Sequence, residues 1–189
     1  HHWSANLNKG YAVYKQLDDL ISTKKWKDKI EFTYIGNISD EFNLLNTKII
    51  SPKEGDELAK ILKDSHVYVT GSINEPSGNH HIEGAQCGLP ILFLDSGGTT
   101  EYCRDFGLGF TDDFELKLEQ IIADYDLYRK KMDQYPLNSE IMSEEYLTLF
   151  KNLVDNRNIK NQKVNIKGRL FLLNQLNKKY FRIFKLFLK

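Results

Sequence analysis

Short apolar segments alternate with amphipathic segments along most of the chain, and this alternation restricts the fold more than any other feature. Short segments rich in β-branched or aromatic residues, each bounded by turn-forming residues, occur at 31–36, 47–50, 66–70, 90–95 and 108–110. Helical periodicity and helix-ending residues predict helices over 11–25, 54–63, 79–87, 114–132 and 139–153. Strands separated by helices are typical of a parallel sheet flanked by helices. The sequence therefore predicts a Rossmann-like α/β domain.

The length of the chain, 189 residues, accommodates one such domain with a few extra helices but not a second complete domain. We place the α/β domain at 1–157 and a helical extension at 158–189. The chain opens with His-His-Trp-Ser directly before a polar loop, so we expect a first strand to lie upstream of His1. No apolar run approaches the ~18 to 20 residues of a membrane span, and no signal-peptide pattern is present at the start.

Charge is divided unevenly between the body of the chain and its end. Residues 157–189 contain ten Lys or Arg and no Asp or Glu, which leaves 16 basic residues in the remainder with all 26 acidic ones. The same segment repeats apolar residues at steps of three and four, at Leu176, Tyr180, Ile183, Phe184 and Phe187. A basic amphipathic helix of this kind suits an anionic membrane surface. Packing on another domain is the alternative, and we expect no binding of nucleic acid.

Cysteine usage indicates the compartment. Cys87 and Cys103 are too few for a disulfide framework, and both fall in segments that are expected to be helical. We therefore expect a cytoplasmic protein, with peripheral attachment at the inner face of the membrane through its basic end.

The segment 74–83, with the sequence NEPSGNHHIE, lies between a predicted strand and a predicted helix. Ligands of open α/β sheets bind beyond the carboxyl ends of strands, and helix N-termini present free N–H groups to phosphate. Gly78 permits the turn and lets the backbone approach an anion. An ionised carboxylate, such as that of Glu75 or Glu83, can accept hydrogen bonds from two neighbouring sugar hydroxyls. We expect Glu83 to bind a ribose diol and Glu75 to bind a transferred sugar.

A metal site formed by His80, His81 and Glu83 is the alternative for this segment. Adjacent helical residues point about 100° apart, and no further ligand stands nearby in the sequence. We therefore expect no metal, and we assign His80 a backbone and imidazole role beside phosphate or sugar.

Several motifs follow one another in a fixed order, namely Lys9-Gly10, EPSGNHHIE at 75–83, GAQCGLP at 84–90 and DSGGTTE at 95–101. In order and spacing they resemble glycosyltransferase family 4, also called group 1, and the resemblance extends over 3–153. It implies the GT-B architecture, two Rossmann-like domains that face each other across a cleft, of which this chain is the C-terminal one. It also implies a retaining, metal-independent enzyme without a separate cofactor. The donor would be a nucleotide sugar, with a UDP-sugar as first choice, and the acceptor a glycan, lipid or polysaccharide.

The resemblance also implies roles for individual residues. The catalytic residues would be Lys9 and Glu75, with Lys9 neutralising the departing diphosphate. The donor-binding residues would be Gly78, Asn79, His80, Glu83, Gly98 and Thr99. Because the acceptor would bind to the absent N-terminal domain, we expect this chain to bind donor weakly and to be inactive alone.

One position departs from the family pattern. The family commonly has an Arg five or six residues before the Lys, where this chain has Ser4 and Trp3. A subgroup that obtains its second cation elsewhere, or an inactive copy, would explain the difference. The rival hypothesis is a non-catalytic module of the same fold that serves partner or membrane attachment, and a nucleotide-sugar epimerase of GT-B shape is a further alternative.

Overall fold

The computed structural model describes residues 1–39 and 42–155. Its strands are β1 (Thr33–Ile35), β2 (Lys48–Ile50), β3 (Tyr68–Thr70), β4 (Ile91–Leu94) and β5 (Gly107–Phe110). Its α-helices are α1 (Tyr11–Ser22), α2 (Gly55–Lys63), α3 (Asn79–Gln86), α4 (Thr99–Cys103), α5 (Phe114–Ala123), α6 (Tyr125–Met132) and α7 (Ser139–Asp155). Short 3-10 turns occur at Leu7–Lys9 and Arg104–Phe106.

All of the described strand pairs are parallel, and they form two sheets. β1 pairs with β2, while β4 lies between β3 and β5 in a three-stranded sheet. The predicted α/β class, with parallel strands flanked by helices, is confirmed. The sequence favours a single sheet, whereas the structure has two. They are separate because no strand of the described chain pairs with both β1 and β3.

Two hydrophobic clusters cover the opposite faces of the three-stranded sheet. Ile91 and Phe93 of β4 belong to one cluster together with Leu62 of α2. Leu92 belongs to the other cluster together with Leu17 of α1 and several residues of α5. Successive side chains of a strand point to opposite faces, so the burial of all three β4 residues places helices on both sides of the sheet.

The helix predicted over 114–132 is divided in the structure at Asp124, where α5 ends and α6 begins. Ile121 of α5 packs in the same cluster as Leu92, whereas Met132 at the end of α6 packs in the cluster of Ile91. The turn at Asp124 lets the chain pass from one cluster to the other, which the helical periodicity of the sequence does not reveal.

The chain divides into two compact units, His1–Ile141 and Met142–Lys189. The first unit contains both sheets and α1 to α6. The described part of the second unit is the remainder of α7, and large apolar side chains of this part are exposed, namely Met142, Tyr146, Leu147, Leu149, Phe150, Leu153 and Val154. The amphipathic helix predicted within 158–189 lies outside the described residues. None of the described helices is long and apolar enough to span a bilayer.

A buried carboxylate on α1 fixes the segment that leads into β2. Asp18 accepts hydrogen bonds from the N–H groups of Leu45 and Asn46, at 3.1 and 2.8 Å, and from the Thr47 hydroxyl at 2.6 Å. Burial alone would raise the pKa of Asp18, but these hydrogen bonds outweigh it and hold the pKa below its usual value.

Replacing Asp18 with asparagine is expected to lower the free energy of unfolding at pH 7 by about 1–2 kcal/mol, because charge-assisted hydrogen bonds are lost. A depressed carboxyl pKa stabilises the fold above its unfolded value of about 4, and this stabilisation is lost as the pH falls through the folded value. Urea unfolding between pH 7 and pH 3 measures both effects. In the Asp18→Asn variant the acid-dependent loss should be smaller than in the parent chain. Asp19→Asn, at the exposed neighbouring position, is the matched control, and equal losses in both variants would contradict this role of Asp18.

Candidate functional site

The candidate site lies at the carboxyl end of β3, where a loop leads into α3. The chain around Lys9 is held against the start of this loop. Gly10 has a φ of +81°, and a Cβ atom on it would lie 1.9 Å from the carbonyl oxygen of Gly71. The N–H of Ile73 donates to the carbonyl of Asn8 at 2.7 Å. These backbone contacts place Lys9 beside the loop.

Lys9 and Glu75 form an ion pair across the loop, with Nζ 2.7 Å from Oε2. The side chains are 24% and 15% exposed, so solvent screens this pair less than it screens a surface pair. An ammonium group has three N–H donors. Lys9 therefore keeps donors for a second, anionic partner while it holds Glu75.

Gly78 precedes Asn79, the first residue of α3, and no side chain caps this end of the helix. The first N–H groups of α3 are thus free of a side-chain cap and carry the partial positive charge of a helix N-terminus. A Cβ atom on Gly78 would lie 2.6 Å from the His80 ring and 3.0 Å from Cγ of Glu75. Glycine at this position lets both side chains approach the turn, while Asn79 is exposed.

Two buried histidines lie behind the loop. Nε2 of His80 is 3.0 Å from the Thr70 hydroxyl, and the ring centroids of His80 and His2 are 4.7 Å apart. Nε2 of His2 is 2.6 Å from the Tyr14 hydroxyl. Burial, together with neighbouring basic side chains that include Lys9, lowers the pKa of His2 and of His80 to about 2. At neutral pH both rings supply hydrogen-bonding atoms without positive charge.

His81 is fully buried next to these rings, 5.0 Å from the His80 ring and 5.5 Å from that of Tyr102. Burial lowers the pKa of His81 to about 4, although Glu75 acts in the opposite direction. Neither ring nitrogen has a hydrogen-bond partner within the described residues. The same part of the chain holds no group of three or more His, Cys, Asp or Glu arranged for a metal ion.

Glu83, in the second turn of α3, is 49% exposed, and its Oε2 lies 2.8 Å from Nε2 of His1. Glu75 pairs with Lys9 and Glu83 pairs with His1, so each of the two carboxylates lies beside a basic side chain.

The loop between β4 and α4 packs on the backbone of Glu75. The N–H of Gly98 donates to the Glu75 carbonyl at 2.7 Å, and a Cβ atom on Gly98 would lie 2.5 Å from the carbonyl oxygen of Pro76. Thr99 follows as the first residue of α4, with a side chain that is 1% exposed and a hydroxyl without a partner among the described residues. The backbone of this loop, rather than the Thr99 side chain, borders Glu75.

Sequence reasoning missed His1, His2 and Tyr14 as members of the site. The helical spacing assigns Tyr14 to the apolar face of α1, yet its hydroxyl receives the N–H of Gly71 at 3.2 Å in addition to contacting His2. A tyrosine on a buried helix face was the available signal, because its hydroxyl needs a polar partner.

The sequence matches the family model of "Glycosyl transferases group 1" over residues 15–136. This range contains Glu75 and Glu83, whereas Lys9 precedes it. A comparison with curated proteins found no match.

Two solved structures are similar to the chain. Sucrose-phosphate synthase from Thermosynechococcus elongatus is 16% identical with a TM-score of 0.61, and the match covers 80% of this chain and 44% of that one. TarM is 19% identical with a TM-score of 0.56, and the match covers 79% of this chain and 34% of that one. At these identities the likeness shows the fold, and the chain spans less than half the length of either protein.

Proposed function

Because this chain belongs to the group 1 family of glycosyl transferases, we propose that it is the donor-binding domain of a retaining enzyme. The enzyme would transfer a sugar from a nucleoside-diphosphate sugar to a glycan, lipid or polysaccharide acceptor. The ion pair of Lys9 and Glu75 beside the uncapped end of α3 is the observation that supports this best. It places a cation suited to phosphate next to a carboxylate suited to sugar hydroxyls.

The diphosphate binds at the amino end of α3 in this proposal. The N–H groups at Gly78 to His80 and the ammonium group of Lys9 supply donors from two directions. Negative charge grows on the diphosphate as the bond to the sugar breaks, and donors that are already in place stabilise it without reorganisation. Lys9 thereby assists departure of the nucleoside diphosphate.

The transferred sugar binds between Glu75 and the loop at Gly98. The hydrogen bond from the Gly98 N–H to the Glu75 carbonyl fixes the backbone that bears the carboxylate. A carboxylate held in this way orients the sugar hydroxyls relative to the diphosphate, and such orientation lowers the entropic part of the barrier.

The ribose of the nucleotide binds to Glu83. Burial lowers the pKa of His1 although Glu83 opposes this change, so the imidazole is neutral at pH 7. The carboxylate of Glu83, which is 49% exposed, accepts hydrogen bonds from a ribose diol at its exposed side.

Acceptor contacts belong to a second domain in this proposal, so the chain alone binds donor weakly and transfers no sugar. A UDP-sugar is the donor of first choice. The basic composition of 157–189 further supports peripheral contact with an anionic membrane surface.

The rival function is a non-catalytic module used for partner or membrane attachment. Trp3 and Ser4 stand at the positions where the family commonly has an Arg, and both are exposed and uncharged. The lack of this second cation for phosphate favours the rival function. Binding of nucleotide to the chain distinguishes this module from a donor-binding domain.

We expect isothermal titration calorimetry of the chain with UDP, GDP, ADP and their glucose conjugates to show binding to at least one, with a Kd on the order of 0.1–1 mM. Glu83→Ala should weaken binding of that nucleotide about 10-fold but leave binding of inorganic pyrophosphate unchanged, because Glu83 is assigned to the ribose. Glu57→Ala, at an exposed carboxylate of α2 paired with Lys53, is the control. A folded chain that gives no heat with any of these ligands at millimolar concentration would refute the donor-binding function.

A further inference from the structure

Asn74, which directly precedes Glu75, has an unusual backbone conformation. Its φ is +51°, and among the residues that the structure describes only Asp28 also has a positive φ without being glycine. L-residues seldom adopt this left-handed conformation, and asparagine tolerates it better than most. Backbone outliers of this kind concentrate at functional sites, where surrounding contacts maintain them. The contacts that hold Asn74 therefore bear on the position of Glu75.

Ser96 supplies the contact that holds Asn74. Its Oγ accepts the N–H of Asn74 at 2.9 Å, although the two residues are 22 positions apart in the sequence. Two positions after Ser96, the N–H of Gly98 donates to the Glu75 carbonyl at 2.7 Å. The Asn74 N–H and the Glu75 carbonyl enclose the φ and ψ angles of both residues. The two hydrogen bonds thus fix the stretch of backbone from which the Glu75 side chain projects.

Gly97 lets the two backbones meet between these hydrogen bonds. It has a φ of +62°, and a Cβ atom on it would lie 2.7 Å from the nitrogen and 2.8 Å from the carbonyl oxygen of Glu75. A side chain at this position would force the two loops apart. Glycine therefore brings the loop after β4 into direct contact with the backbone of Glu75.

The loop that bears Ser96 is itself tied to the sheet. The N–H of Asp95 donates to the carbonyl of Phe110, at the end of β5, at 2.9 Å. The Asp95 carboxylate accepts a hydrogen bond from the Thr100 hydroxyl. Ser96 is half-buried, whereas Asn74 is exposed. The position of Asn74 is therefore set from the sheet through Ser96, and not by burial of its own side chain.

Lys9 and Ser96 hold Glu75 at different places. Lys9 contacts the tip of the side chain at Oε2, and its ammonium group is assigned to the diphosphate. Ser96 acts on the backbone at the base of the side chain. A change at Lys9 therefore affects both phosphate and carboxylate, but a change at Ser96 affects only where the carboxylate lies.

We propose that Ser96 and the left-handed backbone of Asn74 form a positioning pair that directs the Glu75 carboxylate toward the sugar of a nucleotide sugar. Ser96 acts through Asn74 and touches no ligand in this arrangement. The inference rests on the proposed function, in which Glu75 binds the transferred sugar. Its consequence is that the pair governs how strongly the chain distinguishes a nucleotide sugar from the bare nucleotide.

The test measures calorimetric Kd values of the 189-residue chain for UDP, GDP and ADP and for their glucose conjugates. For the nucleotide that binds, the ratio of the conjugate's Kd to that of the bare nucleotide isolates the contribution of the sugar. Ser96→Ala should raise this ratio about 5-fold and leave the Kd of the bare nucleotide within about 2-fold, because one hydrogen bond at the base of Glu75 is lost. Ser96→Thr keeps the hydroxyl and should retain the parent ratio. Ser22→Ala removes an exposed hydroxyl that bonds to the Asp19 carbonyl, and this matched control should change neither Kd.

Two substitutions of Asn74 separate its backbone from its side chain. Asn74→Gly keeps the left-handed conformation accessible and should keep the parent ratio. Asn74→Val introduces a β-branched residue, for which a positive φ is strongly disfavoured, and should raise the ratio at least as much as Ser96→Ala. Equal losses in both variants would assign the effect to the amide side chain and overturn the proposal. If Ser96→Ala does not fold, this pair of variants decides the same question.

An unchanged ratio in a folded Ser96→Ala variant would overturn the positioning role and leave the donor-binding function standing. Equal weakening of nucleotide and conjugate would also overturn it, because the loop would then support the fold as a whole. A chain that binds none of these ligands would refute the donor-binding function itself, and the positioning role with it.

Discussion

Replacing Lys9 with methionine is expected to weaken binding of a nucleoside diphosphate by about 30- to 150-fold. The change removes a charge-assisted contact to phosphate, which contributes about 2–3 kcal/mol. It also leaves Glu75 without the cation that lies 2.7 Å away in the structure, so an uncompensated carboxylate would face the incoming diphosphate. Calorimetric titration with UDP measures the loss.

Two further variants separate these effects. Lys15→Met removes an exposed lysine of α1 that pairs with Asp19, and it should leave nucleotide affinity unchanged. Combining Lys9→Met with Glu75→Gln removes the unpaired carboxylate, so part of the affinity should return, but not the share due to the Lys9 contact. Full recovery in the double variant would show that Lys9 acts only by neutralising Glu75, and wild-type affinity in Lys9→Met would exclude Lys9 from the site.

Replacing Gly10 with alanine is expected to lower the free energy of unfolding by about 3 kcal/mol or more. Gly10 has a φ of +81°, which costs an L-residue about 1–2 kcal/mol, and the new methyl group would lie 1.9 Å from the Gly71 carbonyl oxygen. Relief requires the start of the chain to move away from the loop after β3. Such a movement separates Lys9 from Glu75, so nucleotide binding should weaken even in the fraction that stays folded.

Gly55→Ala is the matched control, because Gly55 also has a positive φ, of +54°, but a Cβ atom on it would have no neighbour within 4 Å. We expect this variant to lose only about 1 kcal/mol, from backbone strain alone. Chemical denaturation of both variants measures the difference. Equal losses would mean that the close approach of Gly10 to Gly71 does not hold the two segments together.

The pairing of Lys9 with Glu75 supplies a partner for a partly buried carboxylate. Only one oxygen, Oε2, contacts Lys9, and the ammonium group can bridge that oxygen and a phosphate. In the proposed function, donor binding would extend the existing ion pair instead of breaking it. The neutral His2 and His80 behind the loop leave the local charge balance to Lys9 and Glu75.

Local sequence was sufficient for several parts of this protein. Turn-forming residues around short apolar runs located every described strand, and Gly88 with Pro90 marked the end of α3. Glu75, Gly78 and Glu83, which the sequence motif assigns to donor binding, lie on one loop and the helix that follows it, and their role stays a prediction. Such features depend on residues that are close together in the chain. Over this short range the spacing of residues along the sequence determines where their side chains point.

Tertiary structure decided the features that join distant segments. Lys9 and Glu75 are separated by 66 positions, and their pairing depends on the packing of Gly10 against Gly71. The contact between His2 and Tyr14, the turn at Asp124 and the division into two sheets likewise depend on which surfaces pack together. Sequence spacing specifies where a side chain points on its own helix or strand, but which element it meets is determined by burial of apolar faces over the whole fold.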